Sequence, residues 1–336
     1  MHVHLLLGTH RCGILRGMSN GRLWRAHIDR KRYGQIASIS NYRGEERRIL
    51  QYCRRVVLWT KDELERRYGW DLSRVDFFFL DKREPNAVML RQGRRHAIGI
   101  CVGLPFRHMK DLRRALKDPD FLAEYLMPQE HEEWSMRFLG MLIEHAYLHE
   151  LAHAVRGHLL YKRATANGID ERSGSLGRYL EIDADIHALD MWLAITEVAD
   201  DFPKSEQGQL ELYFQKVFTL QIFYQVFDAA NLPLQAHRRE HPAPIHRALV
   251  ATAAMAQSIP QRLGLTTKTI KNAHHQAMWE ASIAARTANL IEDRWWGGVR
   301  GRRRGIRECR RMIRYYLEVV EPRLDAFVAS LPDDIV

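Results

Sequence analysis

The stretch that decides the fold is residues 144–160, which read EHAYLHELAHAVRGHLL. Its flanks contain no proline and are rich in Leu, Ala and Met, which predicts one helix over about residues 132–163. At about 100° per residue, His149 and His153 lie one turn apart on one face of that helix. Two imidazoles so placed can bind one Zn²⁺, and Glu150 can act as a general base.

A metal site built on this motif needs a third ligand. On a straight helix His158 lies about 140–180° away from the histidine pair, so the spacing excludes it. His145 lies one turn before His149 and therefore near the site. Three ligands stacked along one straight helix do not readily form a tetrahedron, so we expect His145 to be a neighbour of the site or a core residue.

A second segment, residues 179–192 with the sequence YLEIDADIHALDMW, offers better candidates. Glu181 and Asp185 share one face of a predicted helix with two alanines, which allow a close approach to another helix. We expect Glu181 to complete a His₂Glu zinc site. We expect Asp185 to accept the other ring N–H of a ligand histidine. The alternative is that both are ordinary surface acids.

The pair of motifs, H-E-L-A-H followed by E-x-D-A-D, resembles the gluzincin peptidases. The similarity is greatest to the HtpX and CAAX prenyl protease group and to the soluble Lit-like phage-exclusion peptidases, and it covers roughly residues 75–260. It implies a zincin-like metallopeptidase domain in which Glu181 binds the zinc and Asp185 supports a ligand. The membrane-bound members of the group have several spans, whereas this chain contains no apolar run long enough for one.

A segment between residues 241 and 247, reading HPAPIHR, matches an H-P-x-x-x-x-R pattern that lies near the metal in the similar peptidases. The resemblance implies that His241 or Arg247 donates to the oxyanion of the reaction. The alternative is a helix that begins at the prolines and is capped by a histidine.

Three runs, residues 75–80, 86–91 and 96–102, have the β-branched and aromatic composition of strands, and Gly93 indicates a hairpin between the last two. In the similar peptidases a strand corresponding to residues 96–103 runs along the cleft, where an edge can pair with an extended substrate. We therefore predict a mainly helical α+β fold with a small antiparallel sheet. The predicted regions are a basic N-terminal part (1–70), a peptidase domain (71–262) and a C-terminal helical extension (263–336).

The 336 residues carry a formal net charge of +10, concentrated near the two ends. A dense arginine block between Arg294 and Arg314 favours an acidic protein partner or nucleic acid, although a solvated helix face is the simpler interpretation. The four cysteines are far apart and no signal peptide is recognisable, so we expect a cytoplasmic protein with free thiols.

Two functions follow from these patterns. The first is a zinc-dependent endopeptidase that acts on a specific intracellular protein. The second is a nucleic-acid-associated regulatory protein whose zinc site is structural or vestigial. Glu150 favours the first, because a purely structural site needs no carboxylate base beside its ligands.

Overall fold

The structure is a computed structural model that describes most of the chain. The described residues are 24, 25, 28, 34–117, 130–165, 174–196, 203–230, 247, 248, 250–252, 266–287, 307 and 310–331. They form a mainly helical fold with one small sheet, as expected for an α+β protein. The elements are α1 (Gly44–Tyr68), β1 (Val75–Leu80), β2 (Ala87–Gln92), β3 (Arg95–Cys101), α2 (Gly103–Ala115), α3 (His131–Val155), α4 (His158–Thr165), α5 (Gly174–Thr196), α6 (Glu206–Ala230), α7 (Thr267–Thr287), a π-helical turn (Tyr316–Val320) and α8 (Glu321–Ala329).

The sheet is mixed, so the predicted antiparallel sheet was wrong in one of its two pairings. The strand order is β1-β3-β2. The hairpin of β2 and β3 is antiparallel and turns at Gly93, as predicted, but β3 runs parallel to β1. The connection from β1 to β2 passes β3, which places the later strand of the hairpin next to β1.

Both faces of the sheet are covered, which explains the continuous aromatic run in β1. Phe79 and Ile98 face the main core, whereas Phe78 and Ala97 pack with the buried Trp24 on the other face. A strand that is buried on both faces has no need for alternating polar residues. No described helix is apolar over enough of its length to cross a lipid bilayer.

Helix α3 lies at the centre of the main core, where most of its side chains are buried. The same buried cluster includes Leu50 of α1 and Ala277 of α7. Each of the three predicted regions therefore contributes to one core. The burial of α3 on almost all sides fits its apolar composition around the metal motif.

The single helix predicted over residues 132–163 is in fact two helices. Helix α3 ends at Val155, and Gly157 has φ +61°, a left-handed conformation that favours glycine after a helix end. Helix α4 then begins at His158 in a new direction. The glycine therefore redirects the chain immediately after the metal motif.

Replacing Gly157 with alanine should destabilise the protein by about 2 kcal/mol or more, because two penalties combine. An alanine at position 157 would have to adopt an unfavourable φ, and its Cβ would lie 3.0 Å from Leu331 Cδ1. The matched control is Gly69→Ala, since Gly69 has φ +66° but no atom within 4 Å of such a Cβ. The control substitution should lower the free energy of unfolding, measured by urea denaturation, by only about 1 kcal/mol. Equal losses in the two variants would contradict the packing argument.

Candidate metal centre

Two helices bring the candidate ligands together. His149 and His153 lie on α3, and Glu181 lies on α5, which packs against it. The alanines predicted to allow a close approach, Ala184 and Ala188, are fully buried in the main core. Small side chains at this contact let the three longer side chains meet in the gap between the helices.

The distances between the ligand atoms are close to those around a single metal ion. His149 Nε2 and His153 Nε2 are 3.1 Å apart. The nearest Glu181 oxygens lie 3.4 Å from His149 Nε2 and 3.5 Å from His153 Nε2. Zinc bonds of about 2.0–2.2 Å give a tetrahedron with edges of roughly 3.3–3.6 Å. The three residues could therefore hold a metal ion, as the sequence spacing indicated.

Asp185 is buried in the same gap, and its carboxylate is surrounded by donors. One oxygen lies 2.8 Å from His149 Nδ1 and accepts the Tyr224 hydroxyl at 2.6 Å. Asp185 is fully buried and Glu181 is only 9% exposed, so neither is a surface acid. Burial alone would raise the pKa of Asp185, but Arg247 and His149 together hold it well below its ordinary value.

Arg247 lies inside this cluster and contacts both acids. Its Nε and Nη2 donate to the two oxygens of Asp185 at 2.8 Å and 2.7 Å, and its Nη1 lies 3.1 Å from Glu181 Oε2. All three guanidinium nitrogens thus face carboxylates, which suits the positioning of Glu181 and Asp185 better than donation to an oxyanion. His241, the other oxyanion candidate, lies outside the described residues.

The charge balance around His149 favours its protonated form when no metal is bound. Burial and Arg247 lower the pKa of this imidazole, but Asp185 and Glu181 outweigh them and raise the pKa to about 9. The two carboxylates therefore stabilise a positive charge on this imidazole. A divalent metal ion can supply that positive charge in place of the proton.

His158 lies against the metal ligands, contrary to the straight-helix argument. Its Nδ1 is 2.7 Å from Nδ1 of His153. The break at Gly157 turns His158 back toward the histidine pair, so the angle on a continuous helix did not apply. Its partner on the other side is Asp183, whose Oδ2 lies 2.8 Å from His158 Nε2. The group that could hold a metal ion consists of His149, His153 and Glu181 and does not include His158.

His145 reaches Asp185 through one intermediate residue, and its ring lies 6.5 Å from that of His149. It is fully buried, and its Nε2 lies 3.2 Å from the hydroxyl of Tyr224, which donates to Asp185. This position agrees with the expectation of a neighbour rather than a ligand. Tyr224 itself was not predicted, because nothing in its helical, aromatic surroundings distinguishes it from a core residue.

Glu150 is the residue that the sequence predicts as a general base. It follows His149 directly on α3 and is half-buried, whereas His149 is buried. Its charge also reaches the end of β3. Burial raises the pKa of the Cys101 thiol to about 11, against the effect of Lys82, and Glu84 and Glu150 add to that rise. The Glu150 carboxylate is therefore within electrostatic range of β3.

The strand predicted to present an edge to the substrate is the central strand of the sheet. Strand β3 pairs with β1 on one side and with β2 on the other, so its backbone groups are occupied. Among the described strands, β2 is the one at the edge near α3. Pairing with an extended peptide would therefore use β2.

The arginine block falls only partly within the described residues. Arg307, Arg310, Arg311 and Arg314 are exposed, whereas Arg294, Arg300, Arg302, Arg303 and Arg304 lie outside the described part of the chain. The four described arginines precede Tyr316, which contacts Asp183 beside the metal group. Their exposure fits both a docking surface and a solvated face.

Replacing Asp185 with asparagine should lower zinc affinity by about 10–100-fold, because the carboxylate orients His149 and balances Arg247. The affinity can be measured by competition with a chromophoric chelator. Asp190→Asn on the same helix is the matched control and should leave the affinity unchanged, since Asp190 is absent from the metal group. An effect of Asp185→Asn below about twofold would contradict this role.

Comparison with protein-family models, with curated proteins and with solved structures finds no match to this chain.

Proposed function

We propose that the protein is a zinc-dependent endopeptidase of the gluzincin type that cleaves a specific protein in the cytoplasm. The observation that carries the proposal is the convergence of His149, His153 and Glu181, whose ligand atoms lie 3.1–3.5 Å apart, with Glu150 next to the first of them in the sequence. Three protein ligands are typical of catalytic zinc sites, which keep a fourth position for water or substrate. Structural sites are usually closed by four ligands, often including cysteine.

In the proposed hydrolysis, different residues bind the metal and transfer the proton. His149, His153 and Glu181 would hold the metal. When bound, Zn²⁺ would polarise the peptide carbonyl and make a water molecule more acidic. Glu150 would take a proton from the attacking water as the water oxygen forms a bond to the carbonyl carbon. The same carboxyl then gives the proton to the amine as the C–N bond breaks.

The buried charges around the ligands support this chemistry by holding the metal-binding atoms in place. Asp185 contacts the Nδ1 of His149, which leaves Nε2 directed at the metal position. Arg247 contacts Glu181 and Asp185 together, so the two acids keep a fixed separation. A ligand set that is fixed before the metal binds loses little entropy when it does so.

The proposal is tested by combining metal analysis with a search for cleaved proteins. The purified full chain should contain about one zinc per molecule, as expected of a single His₂Glu site. Proteomes treated with the wild-type protein should contain new peptide termini that are missing after treatment with Glu150→Gln. Zinc-loaded wild-type protein that produces no such termini in any proteome would count against a peptidase.

The choice of substrate is proposed to involve the exposed arginines of the C-terminal segment. Arg307, Arg310, Arg311 and Arg314 offer a positive surface that an acidic region of a protein can contact. A peptidase needs such a surface, because the metal ligands and the base select no particular sequence. Tight RNA or DNA binding that weakens by roughly 10³-fold between 50 and 200 mM salt would instead favour the nucleic-acid-associated function.

A further inference from the structure

The side of the metal group opposite Asp185 contains a chain of buried polar residues that reaches the C-terminal segment. We propose that His158, Asp183 and Tyr316 form a hydrogen-bonded chain that holds His153 in its metal-binding tautomer. The C-terminal segment, residues 310–331, thereby becomes a structural part of the metal centre. This inference rests on the metal site of the proposed function, but not on the hydrolysis of peptides.

Metal binding through Nε2 of His153 implies one arrangement of protons along the chain. His153 Nε2 faces His149 and Glu181, so its metal-binding form carries the proton on Nδ1. That N–H can donate to His158 Nδ1 at 2.7 Å, which requires the proton of His158 to be on Nε2. The Nε2–H of His158 then donates to Asp183 Oδ2 at 2.8 Å. Both imidazoles are neutral in this arrangement, and each donates in the same direction.

Asp183 closes the chain as a charged acceptor. It is fully buried, and a buried carboxylate is costly unless donors surround it. Tyr316 donates its hydroxyl to Oδ1 at 2.6 Å, and Arg156 donates to both oxygens at 3.1 and 3.2 Å. With these donors Asp183 remains an anion, so the histidine next to it keeps its N–H directed at the carboxylate.

The turn at Gly157 and the C-terminal segment create this geometry together. Gly157 redirects the backbone so that His158 faces His153, and Leu331 and Phe327 lie over the glycine. The ring of Phe327 also packs against Tyr161 of α4, with centroids 5.2 Å apart. The segment that supplies the Tyr316 hydroxyl thus also holds the turn that positions His158.

The two ligand histidines are therefore supported by two acids of one helix. Asp185 contacts His149 directly, whereas Asp183 reaches His153 through His158. A carboxylate behind a ligand histidine orients the ring and increases its affinity for the metal. Because His158 lies between Asp183 and His153, the support of His153 also depends on Tyr316, which is 133 residues after Asp183 in the sequence.

The test measures zinc affinity of the full chain by chelator competition, together with the absorption spectrum of the Co²⁺-loaded protein. His158→Ala should weaken zinc binding by about 10–100-fold and shift the Co²⁺ bands, because His153 loses its acceptor. Tyr316→Phe should weaken binding less, by roughly three- to tenfold, because it acts through two further residues. His158→Gln keeps a donor and an acceptor and should recover part of the loss.

The control is Tyr315→Phe, since Tyr315 is the exposed neighbour of Tyr316. It should leave zinc affinity and the Co²⁺ spectrum unchanged. If the residues act as one chain, Tyr316→Phe should have little further effect on zinc affinity in the His158→Ala background. The inference is overturned if Tyr316→Phe costs the same in both backgrounds, or if His158→Ala binds zinc within twofold of the wild type.

The design separates this inference from the proposed function. Zinc affinity and the Co²⁺ spectrum are measured without any substrate. A protein that follows the expected pattern of affinities but cleaves nothing would support the chain and contradict the peptidase. If instead the protein cleaves peptides and His158→Ala has an unchanged zinc affinity, the peptidase would be supported and the hydrogen-bonded chain contradicted.

Discussion

Replacing Glu150 with glutamine should abolish peptide hydrolysis while leaving the fold and the bound zinc intact. The amide has nearly the same shape as the carboxylate but takes no proton from water. Loss of a general base typically costs about 10²–10⁴-fold in rate. The measurement compares the rate of substrate cleavage with zinc content and the unfolding temperature of the same preparation.

The matched control for this variant is Glu133→Gln. Glu133 lies on the same helix α3 but is exposed near its beginning. Its replacement should change neither the rate nor the zinc content. Unchanged turnover in Glu150→Gln would reject Glu150 as the base, whatever the control shows. Loss of zinc from Glu150→Gln would mean that the residue supports the metal site instead.

The second large effect is expected when Glu181 is replaced with alanine. Apparent zinc binding energies of fully ligated sites are about 10–16 kcal/mol. Removal of one of three protein ligands should therefore cost several kcal/mol, which corresponds to a loss of affinity of roughly a hundredfold or more. His153→Ala should have a comparable effect. The zinc content of dialysed protein, measured by mass spectrometry, provides the comparison with the wild type.

A specific pattern would show that the ligands are assigned wrongly. If Glu181→Ala kept its full zinc content and Asp185→Ala lost it, Asp185 would be the ligand and Glu181 its neighbour. The structure favours the opposite, because Asp185 faces His149 Nδ1 and Glu181 faces Nε2 of both histidines. A control on the same helix, Asp190→Ala, should retain its zinc.

The ligand group could be predicted from the sequence because its members lie on two regular helices. Spacings of four residues place His149 beside His153, and Glu181 beside Asp185, wherever the chain is helical. The two alanines on α5 indicated which face would approach the other helix. Local periodicity thus carried enough information to find residues that the structure brings within hydrogen-bonding distance of one another.

The order of the strands could not be predicted in the same way. The hairpin turn at Gly93 is a local signal, and it was correct. Which strand of the hairpin lies beside β1 depends on how both faces of the sheet are buried, and that is decided by contacts far apart in the sequence. The alternating pattern of a strand contains no information about its neighbour.

The predicted position of His158 was wrong because the helix does not continue past Gly157. Gly157 follows the last turn of α3, where glycine commonly ends a helix. The angle of His158 on a continuous helix therefore does not apply, because His158 begins a new helix. The roles of Tyr224 and Tyr316 lacked any such signal, since both come from distant segments of the chain.

The contact between Asp183 and Tyr316 has a consequence for the order in which the protein is assembled. A ribosome makes His149, His153 and Glu181 well before it makes Tyr316, 133 residues after Asp183. Until then, a nascent chain holds the ligands but lacks the hydroxyl that steadies Asp183. The Asp183–Tyr316 contact can therefore form only after Tyr316 has been translated. Fragments released early would carry the ligand motif without its full support.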